Sequence, residues 1–196
     1  MILDRLGDVQ AALRETAVDG WLLFDFRGTN PFAQRITGLP PGGLLTRRWF
    51  LYVPAAGEPH VTVHAIERGS FPDVGLPVRS YGTRAELVDA LRAALAAARH
   101  VAMEFSPEGN IPYVSRVDAG TVDLVRGLGV DVVTSANLLQ LFLQWSDRQL
   151  ADHRRAAQAL TEVKDAALAL VREHAETGAP LTEHELRVRV VDQLRS

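Results

Sequence analysis

Apolar residues recur along this chain at two spacings, and the change from one to the other divides it into elements. Leu3, Leu6, Val9 and Leu13 return every three or four positions between charged neighbours over residues 2–17, which predicts a surface helix with one buried stripe. Asp19-Gly20 turns the chain, and the run Trp21-Leu22-Leu23-Phe24 reads as a buried strand. Arg48 to Val53 and Val61 to Ala65 predict two more strands, joined by Pro54-Ala55-Ala56-Gly57-Glu58-Pro59, whose residues suit a hairpin turn. Val78 to Tyr81, Val101 to Phe105 and Val130 to Val133 read as short strands. Thr83 to Arg99 and Ala119 to Arg126 read as helices, and Ser135-Ala136-Asn137 caps a short apolar helix through Leu143. From Gly28 to Gly43 the glycines with Pro31, Pro40 and Pro41 predict a long irregular connection holding one short helix around Phe32 to Ile36. Connections of that length often carry function.

Helices alternate with strands over residues 1–144, so the fold class expected there is α/β, with a mixed sheet of five or six strands flanked by helices. The hairpin must be antiparallel, whereas helical crossovers favour parallel neighbours. The strand pattern stops at Trp145-Ser146, and residues 145–196 predict a C-terminal helix pair. The first helix opens at Ser146-Asp147 and carries Ala156, Leu160, Val163, Ala167 and Leu170 on one stripe. The second begins at Thr182, where Thr-Glu-His-Glu has the form of a capping box, and repeats Leu186, Val190 and Leu194. No glycine follows Leu194 to stop it, so a continuation beyond Ser196 is expected. Two apolar stripes on so short a segment are expected to pack on each other, on the preceding domain or on another chain.

With 47% hydrophobic residues the chain has the composition of an ordinary folded protein. Its formal net charge is -3, and its basic residues are scattered without gathering beside aromatics, so nucleic acid is not an expected partner. The absence of cysteine removes disulfides, thiolate nucleophiles and cysteine zinc sites. Charges in the first turn rule out a signal-peptide core there, and no stretch approaches the ~20 apolar residues of a membrane span. A soluble, cytoplasmic protein is the expectation.

The common catalytic patterns are missing. Neither the dinucleotide fingerprint nor the P-loop spacing occurs, Gly127-Leu128-Gly129 being followed by Val132 where the pattern needs glycine. No serine has the flanking glycines of a nucleophile elbow. The histidines are His60, His64, His100, His153, His174 and His184. His60 and His64 share a strand face but lie roughly 13 Å apart at strand spacing, too far for one ion. His184-Glu185 opens like a zincin helix, yet Val188 stands where its second histidine belongs. Solvated or core-edge histidines are the simpler account. The loop Glu104 to Asn110 follows a buried strand, where open α/β sheets bind ligands, although a solvated turn explains Glu108 at less cost. In Arg47-Arg48-Trp49, two guanidiniums beside an indole are suited to hold a carboxylate or stack on a ligand. The plainer account is a strand start with an arginine paired to a surface acid.

Taken together, these segments resemble the N-terminal domain of the creatinase, prolidase and aminopeptidase P family. The resemblance is carried by Asn30, Gly38, Arg48 to Pro54 with Gly57-Glu58-Pro59, and His64-Ala65-Ile66-Glu67. Its longest piece runs from Ala102-Met103-Glu104-Phe105-Ser106-Pro107 through Ile111 to Ser115 and on to Asp118-Ala119-Gly120-Thr121. Leu150, His153, Ala156, Ala157, Gly178 and Thr182-Glu183 look like the opening helices of the family's pita-bread catalytic domain. The resemblance implies a ribonuclease H-like fold at the N-terminus of a two-domain, dimeric Xaa-Pro metallopeptidase with two divalent metals held by two Asp, one His and two Glu. The region supplying those ligands is not in this chain. Asp8 and Asp19 show the spacing of the first two ligands, but no third follows, so no metal or catalytic residue is carried over and no cofactor is expected here. The resemblance further implies a homodimer and makes Arg47, Arg48 and Trp49 candidates for substrate contact, expected exposed at the edge of the first hairpin. The competing expectations are a stand-alone binding or scaffold protein dimerising through its C-terminal helices, and an enzyme whose site lies in the Glu104 to Asn110 loop.

Overall fold

The computed structural model describes residues 1–40 and 45–195. Its chain divides into two compact units, Met1–Leu143 and Gln144–Ser196.

The first unit is built on a six-stranded sheet whose strands are β1 (Gly20–Asp25), β2 (Trp49–Pro54), β3 (His60–His64), β4 (Val78–Tyr81), β5 (His100–Met103) and β6 (Asp131–Thr134), in the spatial order β4-β3-β2-β1-β5-β6. β2 pairs antiparallel with both β1 and β3, while β3–β4, β1–β5 and β5–β6 are parallel. Every strand except β2 therefore runs the same way, and one edge of the sheet collects nearly all the carboxyl ends.

Strand alternation sorts the apolar residues onto two faces. Trp21, Leu23, Trp49, Leu51, Val53, Val61 and Val63 face one core with Val9, Leu13, Ile36 and Leu138. These come from α1 (Leu6–Glu15), α2 (Pro31–Thr37) and α5 (Ala136–Leu143). Leu22, Phe24, Phe50, Tyr52, Val101 and Met103 face a second core with Leu87, Leu91, Val122 and Val125 from α3 (Arg84–Ala94) and α4 (Ala119–Arg126). With helices on both sides, β1 is buried along its whole length, which is why its sequence is a continuous apolar run rather than an alternating one.

The short helix expected around Phe32 to Ile36 is α2, capped by the Asn30 side chain, which accepts from the Phe32 and Ala33 amides, and opened by Pro31 at its first turn. It ends at Gly38, whose φ of 79° is the left-handed cap conformation. Pro41 to Gly43, the far end of the predicted connection, lie outside the described residues. The helix expected to reach Arg99 ends at Ala94 instead, because the Ala98 amide bonds Leu95 and tightens the last turn.

The second unit consists of α6 (Asp147–Thr177) and α7 (Glu183–Arg195). Ser146 and Gln149 form a capping box on α6, and Gly178, at φ 72°, stops it. Thr182 and Glu185 make the predicted box on α7, with the Glu185 amide donating to Thr182 Oγ1 at 3.2 Å and the Thr182 amide to Glu185 at 2.9 Å. Leu170, Leu186 and Val190 are partly covered where the two helices meet, while Leu160, Leu168, Val171, Val188 and Leu194 remain exposed. Among the described residues no helix is long and apolar enough to cross a membrane.

Candidate functional site

Two constellations of polar side chains lie at the carboxyl edge of the sheet, one on each face. The first is buried. Asp25 closes β1, and Glu104 follows β5 directly; neither is accessible to solvent. Glu104 Oε1 accepts from Trp21 Nε1 at 2.7 Å and from Ser135 Oγ at 3.1 Å, and Oε2 accepts from Asn30 Nδ2 at 2.7 Å. Asp25 accepts from the Asn30 amide at 2.8 Å, the Gly28 amide at 3.1 Å and Trp49 Nε1 at 3.2 Å. Burial pushes the Glu104 carboxyl up to about 6, and the hydrogen bonds from Trp21, Asn30 and Ser135 restrain it from rising further. With donors filling both carboxylates, the constellation is a fastener: it ties the ends of β1 and β5 to the start of α2 and to the Ser135 turn.

The second constellation lines an open cleft of about 630 Å³ on the opposite face. Phe24 and Phe26 enter from the end of β1, Arg47 and Arg48 from the approach to β2, and His64 and Tyr81 from the ends of β3 and β4. Thr83 and Arg84 enter from the start of α3, and Asp118 and Thr121 from the start of α4. Tyr81 donates its hydroxyl to the Arg48 carbonyl at 2.7 Å, and its ring stands edge-on to His64 at 5.0 Å. Burial raises the Tyr81 phenol, opposed by the Arg48 cation, so the hydroxyl stays a donor. Buried Glu67 accepts from the Arg47 amide at 3.0 Å and from Thr46 Oγ1 at 2.9 Å, fixing the chain that delivers the two arginines.

The structure separates the three candidates Arg47, Arg48 and Trp49. Arg47 and Arg48 line the cleft and form no ion pair or side-chain hydrogen bond among the described residues. Trp49, expected exposed beside them, is 1% exposed. It is the first residue of β2, and alternation sends its indole to the opposite face, where it bonds Asp25 and meets Phe71 edge-on. Trp49 is therefore a core residue, which corrects the expectation that it lies exposed beside the two arginines. In the Glu104 to Asn110 loop, Glu108 is exposed in a tight turn at φ 55°, as the turn reading has it, while Glu104 belongs to the buried fastener. That role has a faint sequence signal, a carboxylate directly after Val101-Ala102-Met103, but its partners lie 31 to 83 positions away.

Among the described residues no three His, Asp or Glu side chains gather where they could hold a metal. Asp8 pairs with Arg5 on α1, and Asp19 accepts from the His100 and Arg99 amides, which hold its carboxyl below the usual carboxylate range.

No family model matches the chain, and comparison with curated proteins finds no match. Solved structures do match, at identities that speak to fold alone. The creatinase/prolidase N-terminal domain of an X-Pro dipeptidase from Streptococcus pyogenes aligns over 70% of this chain and 97% of its own, at TM-score 0.53 and 16% identity. Dipeptidase PepE from Mycobacterium ulcerans aligns over 97% of this chain and 48% of its own, at TM-score 0.58 and 18% identity. A prolidase from Pyrococcus horikoshii aligns over 98% of this chain and 48% of its own, at TM-score 0.53 and 12% identity. The mixed six-stranded α/β fold is thus that of the creatinase/prolidase N-terminal domain, and the chain spans about half the length of the longer dipeptidases that it matches.

Proposed function

We propose that this chain is the non-catalytic N-terminal module of a cytoplasmic, homodimeric Xaa-Pro dipeptidase- or aminopeptidase-like metallopeptidase, serving dimerisation and the shaping of the substrate site. The observation that carries the reading is the extent of the match: a dipeptidase and a prolidase cover 97% and 98% of this chain with only 48% of their own. The remainder of such a protein would supply the two-metal cage, since no three His, Asp or Glu side chains gather to hold an ion among the described residues. In this reading Arg47 and Arg48 face substrate bound at a catalytic domain, without Trp49.

The reading frame following codon 196 is the direct test. A continuation bearing two Asp, one His and two Glu in helical and hairpin context is expected. A stop codon there would replace the module with the second reading, a stand-alone binding or scaffold protein of the same fold that dimerises through α6 and α7; the exposed Leu160, Leu168 and Val171 favour that alternative.

A further inference from the structure

The cleft on the second face brings a third arginine, Arg84, beside the two that the peptidase reading turns toward substrate. Arg47, Arg48 and Arg84 all line it, and none of the three forms an ion pair or side-chain hydrogen bond among the described residues. Elsewhere four arginines are paired with acids, Arg5 with Asp8, Arg92 with Asp89, and both Arg148 and Arg155 with Asp152. The acids around the cleft are already engaged. Asp118 accepts from the Thr121 amide at 2.9 Å and its hydroxyl at 2.7 Å, Glu86 accepts from the Gly82 amide at 2.6 Å, and Glu67 holds the Thr46–Arg47 backbone. Among the described residues three guanidiniums are left against the single lining carboxylate of Asp118, a net charge of +2 with His64 counted as neutral.

The remaining donors point the same way. His64 Nδ1 accepts from the Ile66 amide at 3.2 Å, so in the neutral ring the proton sits on Nε2, making that atom a donor. Guanidiniums offer donors only, in a planar fork matched to carboxylate or phosphate oxygens. Phe26, 40% exposed, and the edges of Phe24 and Leu87 add an apolar wall. At about 630 Å³ the cleft has room for a small organic molecule rather than a bare ion alone.

We infer that this cleft binds a small organic dianion, a phosphomonoester or a dicarboxylate, gripped by Arg47, Arg48 and Arg84 with its carbon skeleton against Phe26. The described lining residues all fall between residues 24 and 121 of one chain, and the inference does not rest on the peptidase reading; either can fail without the other.

The test is a titration of the full 196-residue chain, followed by amide NMR shifts, with phenyl phosphate and with phthalate as probes. Saturable shifts centred on Gly82, Thr83 and Gly120, with millimolar or tighter affinity that weakens as salt is added, are expected from at least one probe. Binding of phenyl phosphate alone assigns a phosphomonoester, and binding of phthalate alone a dicarboxylate. Arg48→Gln and Arg84→Gln should each weaken binding about tenfold or more, and Arg68→Gln, outside the cleft, should leave it unchanged. The wild-type shifts themselves report the site should a variant lose its fold. The inference is overturned by no saturable shift at about 10 mM of either probe, by shifts spread over α6 instead of the cleft, or by equal weakening in all three variants.

Discussion

Asn30 Nδ2 donates to Glu104 at 2.7 Å while the amide of the same residue donates to Asp25 at 2.8 Å, so one asparagine joins two buried carboxylates 79 positions apart in sequence. Its Oδ1 is committed to the Phe32 and Ala33 amides, which fixes which end of the amide faces Glu104. The geometry therefore demands an acceptor at both oxygens of residue 104. Glu104→Gln would turn an NH2 toward Asn30 Nδ2 or toward the Trp21 and Ser135 donors. A loss of about 1–3 kcal/mol of stability is expected, measured by urea unfolding.

The same carboxyl makes a pH prediction. Burial holds Glu104 at about 6 against an ordinary 4.5, so between those values the folded chain binds more protons than the unfolded one. Stability from this group is full below 4.5, declines by about 2 kcal/mol as pH rises to 6, and is level above. His60, whose burial lowers its value from 6.5, tilts the other way, losing stability as pH falls. The difference between wild type and Glu104→Gln isolates the carboxyl; a difference flat across pH 4.5 to 6 would contradict the assignment.

Gly20 opens β1 beneath the ring of Tyr52, and a Cβ there would lie 2.4 Å from Tyr52 Cε2. Gly20→Ala must displace a ring that is itself buried between sheet and helices, and should cost about 1–3 kcal/mol. Pairing it with Tyr52→Leu, which removes the obstruction, should recover most of that loss in a double-mutant cycle.

Trp49 and Arg48 are neighbours in sequence with opposite roles. Trp49→Phe should destabilise by about 1–3 kcal/mol by leaving Asp25 without one of its buried donors. Arg48→Gln should stay within about 0.5 kcal/mol, because its guanidinium forms no ion pair or hydrogen bond among the described residues. Equal losses would mean the cation has a structural task.

The purified chain should not hydrolyse Xaa-Pro peptides, with or without added manganese, cobalt or zinc, because two-metal hydrolysis needs a ligand cage. Calorimetry showing two tightly bound ions per chain together with turnover would refute this.

Light scattering at micromolar concentration should give a homodimer, and Leu160→Glu with Leu168→Glu should shift it toward monomer, since each side chain is 57% exposed on α6.

Local physics was readable from the residues. Thr182 and Glu185 stand in the capping box that their spacing announced, Val78–Tyr81 and Ala119–Arg126 keep the predicted bounds, and the short helix expected around Phe32 to Ile36 is present as α2. What depends on distant partners was not readable. Nothing near Trp21 says that its strand pairs with β5, placing it opposite Ala102. Nothing near Glu104 distinguishes a carboxylate sealed by three distant donors from one solvated in a turn. The two arginines were visible as a pair, but Arg84 joins them only because β4 and α3 carry it to the same end of the sheet.

The two outermost strands set a limit on how copies of this chain can meet. β4 and β6 are four residues each, and they present Arg79, Ser80, Asp131 and Thr134 to solvent. A neighbour adding itself to either margin would gain only a few ladder bonds and would have to strip water from a guanidinium or a carboxylate to do so. Growth by strand addition is thereby discouraged at both ends, so backbone pairing is the less favourable way for two copies to meet.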